Sequence, residues 1–383
     1  MTCEAMDGVR AAIDQLVDTD PAVLADSDTV VALHRQLARL EAAVTRATGT
    51  WDARQDWALD GGRSGASWLT ARCQLPKPSA HRRVRLARAL RDLPVAEQAW
   101  LAGDLDSSHV ALLAANRTVD TGDAMTRDEP MLVEDARQLP HRHFARVVAY
   151  WRQVNDPDGA EHDAERLHQQ RHLTLAQTWK GGWHADLFLD PIGGTILTDA
   201  LRAIEQELFD TDWAHARAAR GDLACRTDLA RTGPQRRADA LVELARRALA
   251  TPPGARPPAP LFTVLVGYET FHGRICELAG GTAVTPGSLL PWLEPAVVER
   301  VVFDTPSRVI DIGTHRRLFT GATRRAIQVR DRECYHPLCD QPADRCDIDH
   351  IHPHALGGPT TQANGRPACP QHNRLHNQPG PAP

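Results

Sequence analysis

No run of apolar residues in this 383-residue chain reaches the ~18 needed to cross a bilayer as a helix. The opening segment, MTCEAMDGVR, has no basic stretch leading into an apolar core, so no secretory signal is read there. A cytoplasmic location without membrane attachment is the expectation. Lysine is nearly missing: only Lys77 and Lys180 occur, and arginine carries almost all of the positive charge. A net charge of −5 excludes a protein that coats nucleic acid by overall basicity. Internal repeats and long low-complexity tracts are also absent, which excludes a repeat architecture.

What is present is ordinary for a globular protein, with 42% apolar and 24% charged residues. The length is too great for one hydrophobic core and sufficient for two or three domains. Residues from about 9 to 150 read as helices. Val31, Leu33, Leu37, Leu40 and Val44 recur at spacings of three and four, which predicts one apolar helical stripe. Val84, Leu86 and Leu90 repeat the pattern before Pro94, and Asp106 or Ser107 offers an N-cap for a further helix. The segment ASWLTARCQLPKPSAHRRVRLARAL is compatible with a helix-turn-helix carrying Arg82, Arg83 and Arg85, with plain helical packing as the simpler alternative.

After His172 the pattern changes. HLTLAQTW and WHADLFLD read as two strands joined at Lys180-Gly181-Gly182, and TILTDALRAIEQELF resumes helical spacing. The Pro-rich stretch 251–260 is expected to be a linker or loop leading into the strand LFTVLVGYETF. A second hairpin is expected to turn near Asp304-Thr305-Pro306. The predicted class is α+β and multidomain: a helical region over 1–170, a mixed strand and helix region over 171–314, a small C-terminal module over 315–378, and a disordered tail at 379–383.

That last module holds the concentrated chemistry. Four of the eight cysteines fall between Cys334 and Cys369, interleaved with histidine, and in a cytosolic chain this favours metal over disulfides. Cys334-x4-Cys339 and Cys369-x2-His372 are two short-spaced pairs, the usual way of supplying four S/N ligands to a tetrahedral zinc. Cys346 is expected to pack instead. Between the pairs, DIDHI alternates like a strand, placing Asp347, Asp349 and Ile351 on one face and Ile348, His350 and His352 on the other. Gly357-Gly358-Pro359 makes a turn, Asn364 lies on the return, and Pro370 suits the first turn of a helix bearing His372, Asn373 and His376. Ahead of the module, six arginines between His315 and Arg332 face a single acid, Asp331.

Asp349-His350, Gly357-Gly358, Asn364 and the closing Cys369-x2-His372-Asn373 resemble the ββα-metal motif of HNH endonucleases. The N-terminal part, through GASWLTARCQLPKPSAHRRVRLARALRDLP, AWLAGDLDSSHVALLAA and RRADALVELARRAL, resembles an actinobacterial family in which a long helical domain of unknown function precedes an HNH nuclease. The resemblance implies a metal-dependent endonuclease acting on DNA, with a zinc-stabilised DNA-binding module that does not cleave as the alternative. Histidine titrates near neutrality, which suits His350 as the general base. The resemblance gives Asn364 the task of holding the loop and orienting His350. It places a catalytic magnesium or manganese ion at Asp349, with Asn373 or His376 as the further ligand and structural zinc at Cys334, Cys339, Cys369 and His372. Arg316, Arg317, Arg324, Arg325 and Arg330 are expected to contact DNA phosphates. The chain departs from the family at Asn373, where a second histidine is usual.

Overall fold

The computed structural model describes residues 2–252, 261–265, 276–278, 281–292, 297–301, 303–305, 308–309, 319 and 321–377. Most of the Pro-rich stretch 251–260, Arg316, Arg317 and the tail 379–383 therefore lie outside the described residues. The chain divides into two units, Met1–Asp156 and Pro157–Pro383. The expected boundary near 170 falls later than this one, because the helix Pro157–Gln169 packs with the later part of the chain: Glu161 Oε1 accepts the backbone N–H of Gly287 at 2.8 Å.

The first unit is helical: α1 (Thr2–Asp18), α2 (Ser27–Ala53), α3 (Gly65–Arg72), α4 (Lys77–Ala89), α5 (Pro94–Ala102), α6 (Ser107–Asn116), α7 (Gly122–Gln138) and α8 (His141–Asn155). Local chemistry sets the ends. Asp26 caps α2 through Thr29 N, Ser64 and Ser67 form a reciprocal box at α3, and Asp106 accepts from the N–H groups of Ser108 and His109 at α6. Gly103, at φ 80, lets the chain leave α5 in the left-handed conformation. Leu93, Trp100, Leu113, Met125, Leu132, Phe144 and Val148 form the core. Glu129 is buried beside them and accepts the Ala96 N–H at 2.8 Å; burial raises its carboxyl above the usual range, against the N–H groups of Ala96 and Val95.

α2 forms where the stripe predicts a helix, but the stripe is not its buried face. Val31, Leu37, Leu40 and Val44 are exposed, and the buried face is Ala38, Ala42, Thr45 and Gly49. Close approach decides this. A Cβ at Gly49 would stand 2.9 Å from the Ala87 carbonyl oxygen of α4, so only a small-residue face admits that neighbour.

The second unit starts with α9 (Pro157–Gln169) and an antiparallel hairpin, β1 (His172–Gln177) and β2 (Trp183–Phe188), with Leu175 opposite Ala185 and Gly181 at φ 83 in the turn. Two long helices come next: α10 (Pro191–Arg220), capped by Asp190, and α11 (Gly233–Ala250), capped by Thr232. A four-stranded sheet has the order β5-β4-β3-β6, from β3 (Leu261–Leu265), β4 (Cys276–Leu278), β5 (Ala283–Val284) and β6 (Val297–Val301), with β3 parallel to β6. The short helix α12 (Pro286–Leu289) packs beside it around Ile192, Leu278, Val284 and Leu289. β7 (Phe303–Thr305) and β8 (Arg308–Val309) pair antiparallel where the second hairpin was expected.

The chain closes with α13 (Gly321–Asp331), β9 (Asp347–His350), β10 (Gly365–Ala368) and α14 (Pro370–Asn377). Two ion pairs join this segment to the middle region: Arg332 to Glu277 at 3.0 Å, and Arg202 to Asp344. Among the described residues no helix is long and apolar enough to cross a membrane.

Gly365 faces Ile327 of α13, Phe319 and Ile348, and a Cβ there would meet Phe319 Cε1 at 2.9 Å. Gly365→Ala is therefore expected to destabilise the C-terminal segment by about 1–3 kcal/mol through overpacking. Denaturant unfolding monitored at that segment checks this, and an unchanged midpoint would refute it.

Candidate metal centre

Cys334 and Cys339 bracket a tight loop after α13. The loop is closed by Cys334 N–H to Gln341 O at 2.8 Å and Cys339 N–H to His336 O at 3.0 Å. Arg332, at φ 61, turns the chain out of the helix to begin it. Cys369 comes after β10 at the entry to α14, where its carbonyl accepts the Asn373 N–H at 2.8 Å, and His372 lies in the first turn of that helix. The four residues so placed bring one ligand atom each to within 4.8 Å of one another.

Zinc–sulfur bonds of about 2.3 Å and zinc–nitrogen bonds of about 2.0 Å make tetrahedral edges of roughly 3.8 Å between sulfurs and 3.5 Å between sulfur and nitrogen. The observed edges are 3.9 Å for Cys339 Sγ to Cys369 Sγ and 3.4 Å for Cys334 Sγ to His372 Nδ1. Cys369 Sγ lies 3.2 Å from His372 Nδ1. The donor set and its dimensions fit zinc. Burial pushes the Cys339 thiol up to about 11. Cys369 is held below its ordinary value: burial opposes this, but the backbone N–H groups of His372 and Gln371 outweigh it. Burial, then the neighbouring His336, lowers the pKa of His372, which favours the neutral imidazole that a metal requires. Cys346 packs against this group as expected, with its thiol pushed up by burial and directed at the carbonyls of Gln341 and Pro342. Among the described residues this is the one cluster of three or more His, Cys, Asp or Glu side chains placed to hold a metal.

The segment between the two ligand pairs is a hairpin. β9 and β10 are antiparallel, with Asp349 opposite Arg366 and His350 opposite Gly365. Asp349 Oδ2 lies 3.4 Å from Arg366 Nη2, and that guanidinium stacks over Tyr335 with its carbon 3.8 Å from the ring centroid. Asn373 Nδ2 donates to Asp347 Oδ2 at 3.4 Å. The His350 ring is 4.4 Å from that of Phe319, and its Nε2 is 3.0 Å from Thr360 Oγ1. Asn364 holds the loop: its amide oxygen accepts His352 N–H at 2.8 Å, and its Nδ2 donates to His352 O at 3.0 Å and Pro359 O at 2.8 Å.

Several expected site residues have partners within the module. Asn373 reaches Asp347, and Asp349 pairs with Arg366, a residue not singled out from sequence. Its signal was the strand register: Arg366 is the cross-strand partner of Asp349, and Thr360 sits where the loop returns to His350. Arg324 and Arg330, expected on phosphate, direct donors inward. Arg324 bonds Cys346 O at 2.9 Å, while Arg330 bonds the carbonyls of Gln362 and Gly365, both at 2.7 Å, and pairs with Asp331. A loop-rich module with little core satisfies its buried carbonyls this way. Arg325 is half-buried on α13. His376 lies on α14, with its side chain outside the described residues.

No solved structure matches this chain. It is similar to the uncharacterized protein Rv3776 of Mycobacterium tuberculosis (strain ATCC 25618 / H37Rv), 26% identical over 90% of this chain and 71% of that one. The uncharacterized protein Rv2100 of the same strain is also 26% identical, over 93% of this chain and 74% of the relative. Residues 27–331, most of the chain up to the end of α13, match the family described as Domain of unknown function (DUF222), and the chain belongs to that family.

Proposed function

We propose that the segment from Cys334 to Asn377 is a zinc-clamped ββα-metal module of the HNH kind and that the protein is a metal-dependent DNA endonuclease. One observation carries the reading. His350 ends β9 with its ring against Phe319 and Thr360. The loop that follows it is pinned at His352 and Pro359 by the amide of Asn364, within a hairpin and helix that carry the Cys3His cluster. A purely structural clamp has no use for an imidazole set by a hydroxyl and an aromatic ring at the mouth of a pinned loop.

His350 is the general base in this reading. Thr360 and Phe319 hold its ring, and Asn364 fixes the backbone just beyond it, at Ile351 and His352. Asp347, Asp349 and Asn373 offer hard oxygen donors suited to magnesium or manganese. Such an ion, when bound, supplies charge stabilisation to the phosphate and the departing 3′ oxygen. Arg366 beside Asp349 orients that carboxylate. A second reading, a zinc-clamped DNA-binding module without hydrolysis, is favoured by this same ion pair, because it neutralises the carboxylate that an ion would need.

The two readings part on supercoiled plasmid. Incubation with Mg²⁺ or Mn²⁺ is expected to yield nicked and then linear DNA. A protein that retards the plasmid but never nicks it, with either ion, is the binding module. In an active protein, Asn373→Ala is expected to raise the Mn²⁺ concentration for half-maximal nicking on the order of tenfold, with zinc content unchanged. If only His376→Ala moves that requirement, Asn373 is not a ligand.

A further inference from the structure

We propose that α4, the second helix of the α3–turn–α4 pair, docks the helical unit onto duplex DNA. The proposal rests on DNA as the partner of the proposed nuclease, but not on hydrolysis. It starts from charge. Between Gly61 and Arg91 the chain has eight Lys and Arg residues and no Asp or Glu, within a protein whose net charge is −5. The pair is built on Ala66, Leu69, Ala80 and Val84, which are buried against one another, while Gln74 at φ 54 makes the short turn over 73–76. Packing on that side leaves Lys77, His81, Arg82, Arg83 and Arg85 exposed on α4.

The outer arginines have no structural task. Arg82, Arg83 and Arg85 make no side-chain hydrogen bond or ion pair among the described residues. Arg88 pairs with buried Asp52 at 2.7 Å and still keeps 55% of its side chain exposed. An open cleft of about 580 Å³ lies beside them, lined by Arg85, Arg88, Arg91 and Arg117, with Ala114 and Asp92. Its one carboxylate, Asp92, is already paired with Arg117 at 3.4 Å. A cleft walled by guanidinium groups, without aromatic residues, recognises phosphate rather than an apolar ligand.

Geometry narrows the source of those phosphates. From Arg82 to Arg88 the cations of α4 extend on the order of 9 Å along the helix axis and fan around its exposed side. A fan of cations of that length engages a polyanion with charges at each step of a backbone, as in duplex DNA. A single helix enters the roughly 12 Å major groove of B-form DNA, whereas the deep, narrow major groove of A-form RNA excludes it. Two helices joined by a three- or four-residue turn, the second exposed, is the arrangement that lays a helix in that groove. The inward commitment of Arg324 and Arg330 in the C-terminal module makes a separate phosphate-binding surface more necessary.

The test reads binding alone. Full-length protein, without added Mg²⁺ or Mn²⁺, is titrated into a labelled duplex of about 20 base pairs between about 50 and 200 mM salt, with fluorescence anisotropy as the readout. Arg82→Ala/Arg83→Ala/Arg85→Ala is expected to weaken binding at least tenfold and to flatten the salt slope by roughly 0.9 per lost phosphate contact. Its melting temperature should match the parent, because the three side chains are exposed and unbonded. The control removes three exposed arginines elsewhere, Arg226→Ala/Arg237→Ala/Arg246→Ala, and is expected to bind within about twofold of the parent. The proposal is overturned if the α4 variant binds as the parent does, or if the control loses as much, which would mark a net-charge effect. It is also overturned if double-stranded RNA binds as tightly as DNA, or if the parent binds no duplex. Plasmid nicking by a protein whose α4 variant still binds normally would leave the nuclease reading standing and remove only this one.

Discussion

Cys339→Ala protein is expected to lose its zinc, and with it the fold from Cys334 to Asn377, while the helical unit Met1–Asp156 melts as before. The hairpin β9–β10 has two short strands, and an isolated pair of that size is marginal in water. Its buried centre consists largely of Cys334, Cys346 and Cys369 themselves. Zinc binding in comparable small modules supplies roughly 10–16 kcal/mol, as much as the entire stability of an ordinary domain. Removing one of four ligands removes most of that. The core of the first unit runs from Ala38 to Trp151 and shares no residue with the cluster, so its unfolding transition should not move. Elemental analysis of the purified variant and limited proteolysis measure the two halves of this expectation. Full zinc retention by Cys339→Ala would refute the assignment, and loss of that zinc on adding Cys346→Ala would name the substitute ligand.

Features governed by neighbours in the chain were legible before the structure. Asp106 as a cap, Pro370 in the first helical turn, the strand DIDH and the turn at Gly181 each depend on a few consecutive residues. The metal cluster was legible for the same reason, because its ligands come in two short-spaced pairs. Contacts chosen by distant packing were not. The small face of α2, rather than its larger apolar stripe, is buried because α4 approaches closely at Gly49. That requirement lies in α4, not in the periodicity of α2. Arg366 meets Asp349 only once a strand register is set, and Arg330 finds the Gln362 and Gly365 carbonyls across a folded loop. An arginine-rich run read as a grip for an external anion can equally be the frame of a module with a small core.

His350→Ala is expected to lower the rate of plasmid nicking by about 10²–10⁴-fold, the usual cost of removing a general base. Zinc content and affinity for duplex DNA should stay near the parent values. The reasons are spatial. His350 is not among the four residues of the Cys3His cluster, and it faces Phe319 and Thr360 rather than the sulfur ligands. Alanine opens space against Phe319, a modest loss at a half-buried position. Thr360→Val then distinguishes a base from a packing residue, since it removes the 3.0 Å partner of Nε2 but keeps the side-chain volume. In the base reading, Thr360→Val alters the pH profile of nicking, because the imidazole loses its orienting hydroxyl, and melting changes little. In a packing role, His350→Ala costs stability without a specific rate loss, and Thr360→Val leaves the pH profile where it was. Unchanged nicking by a folded, zinc-loaded His350→Ala protein would remove the proposed mechanism outright.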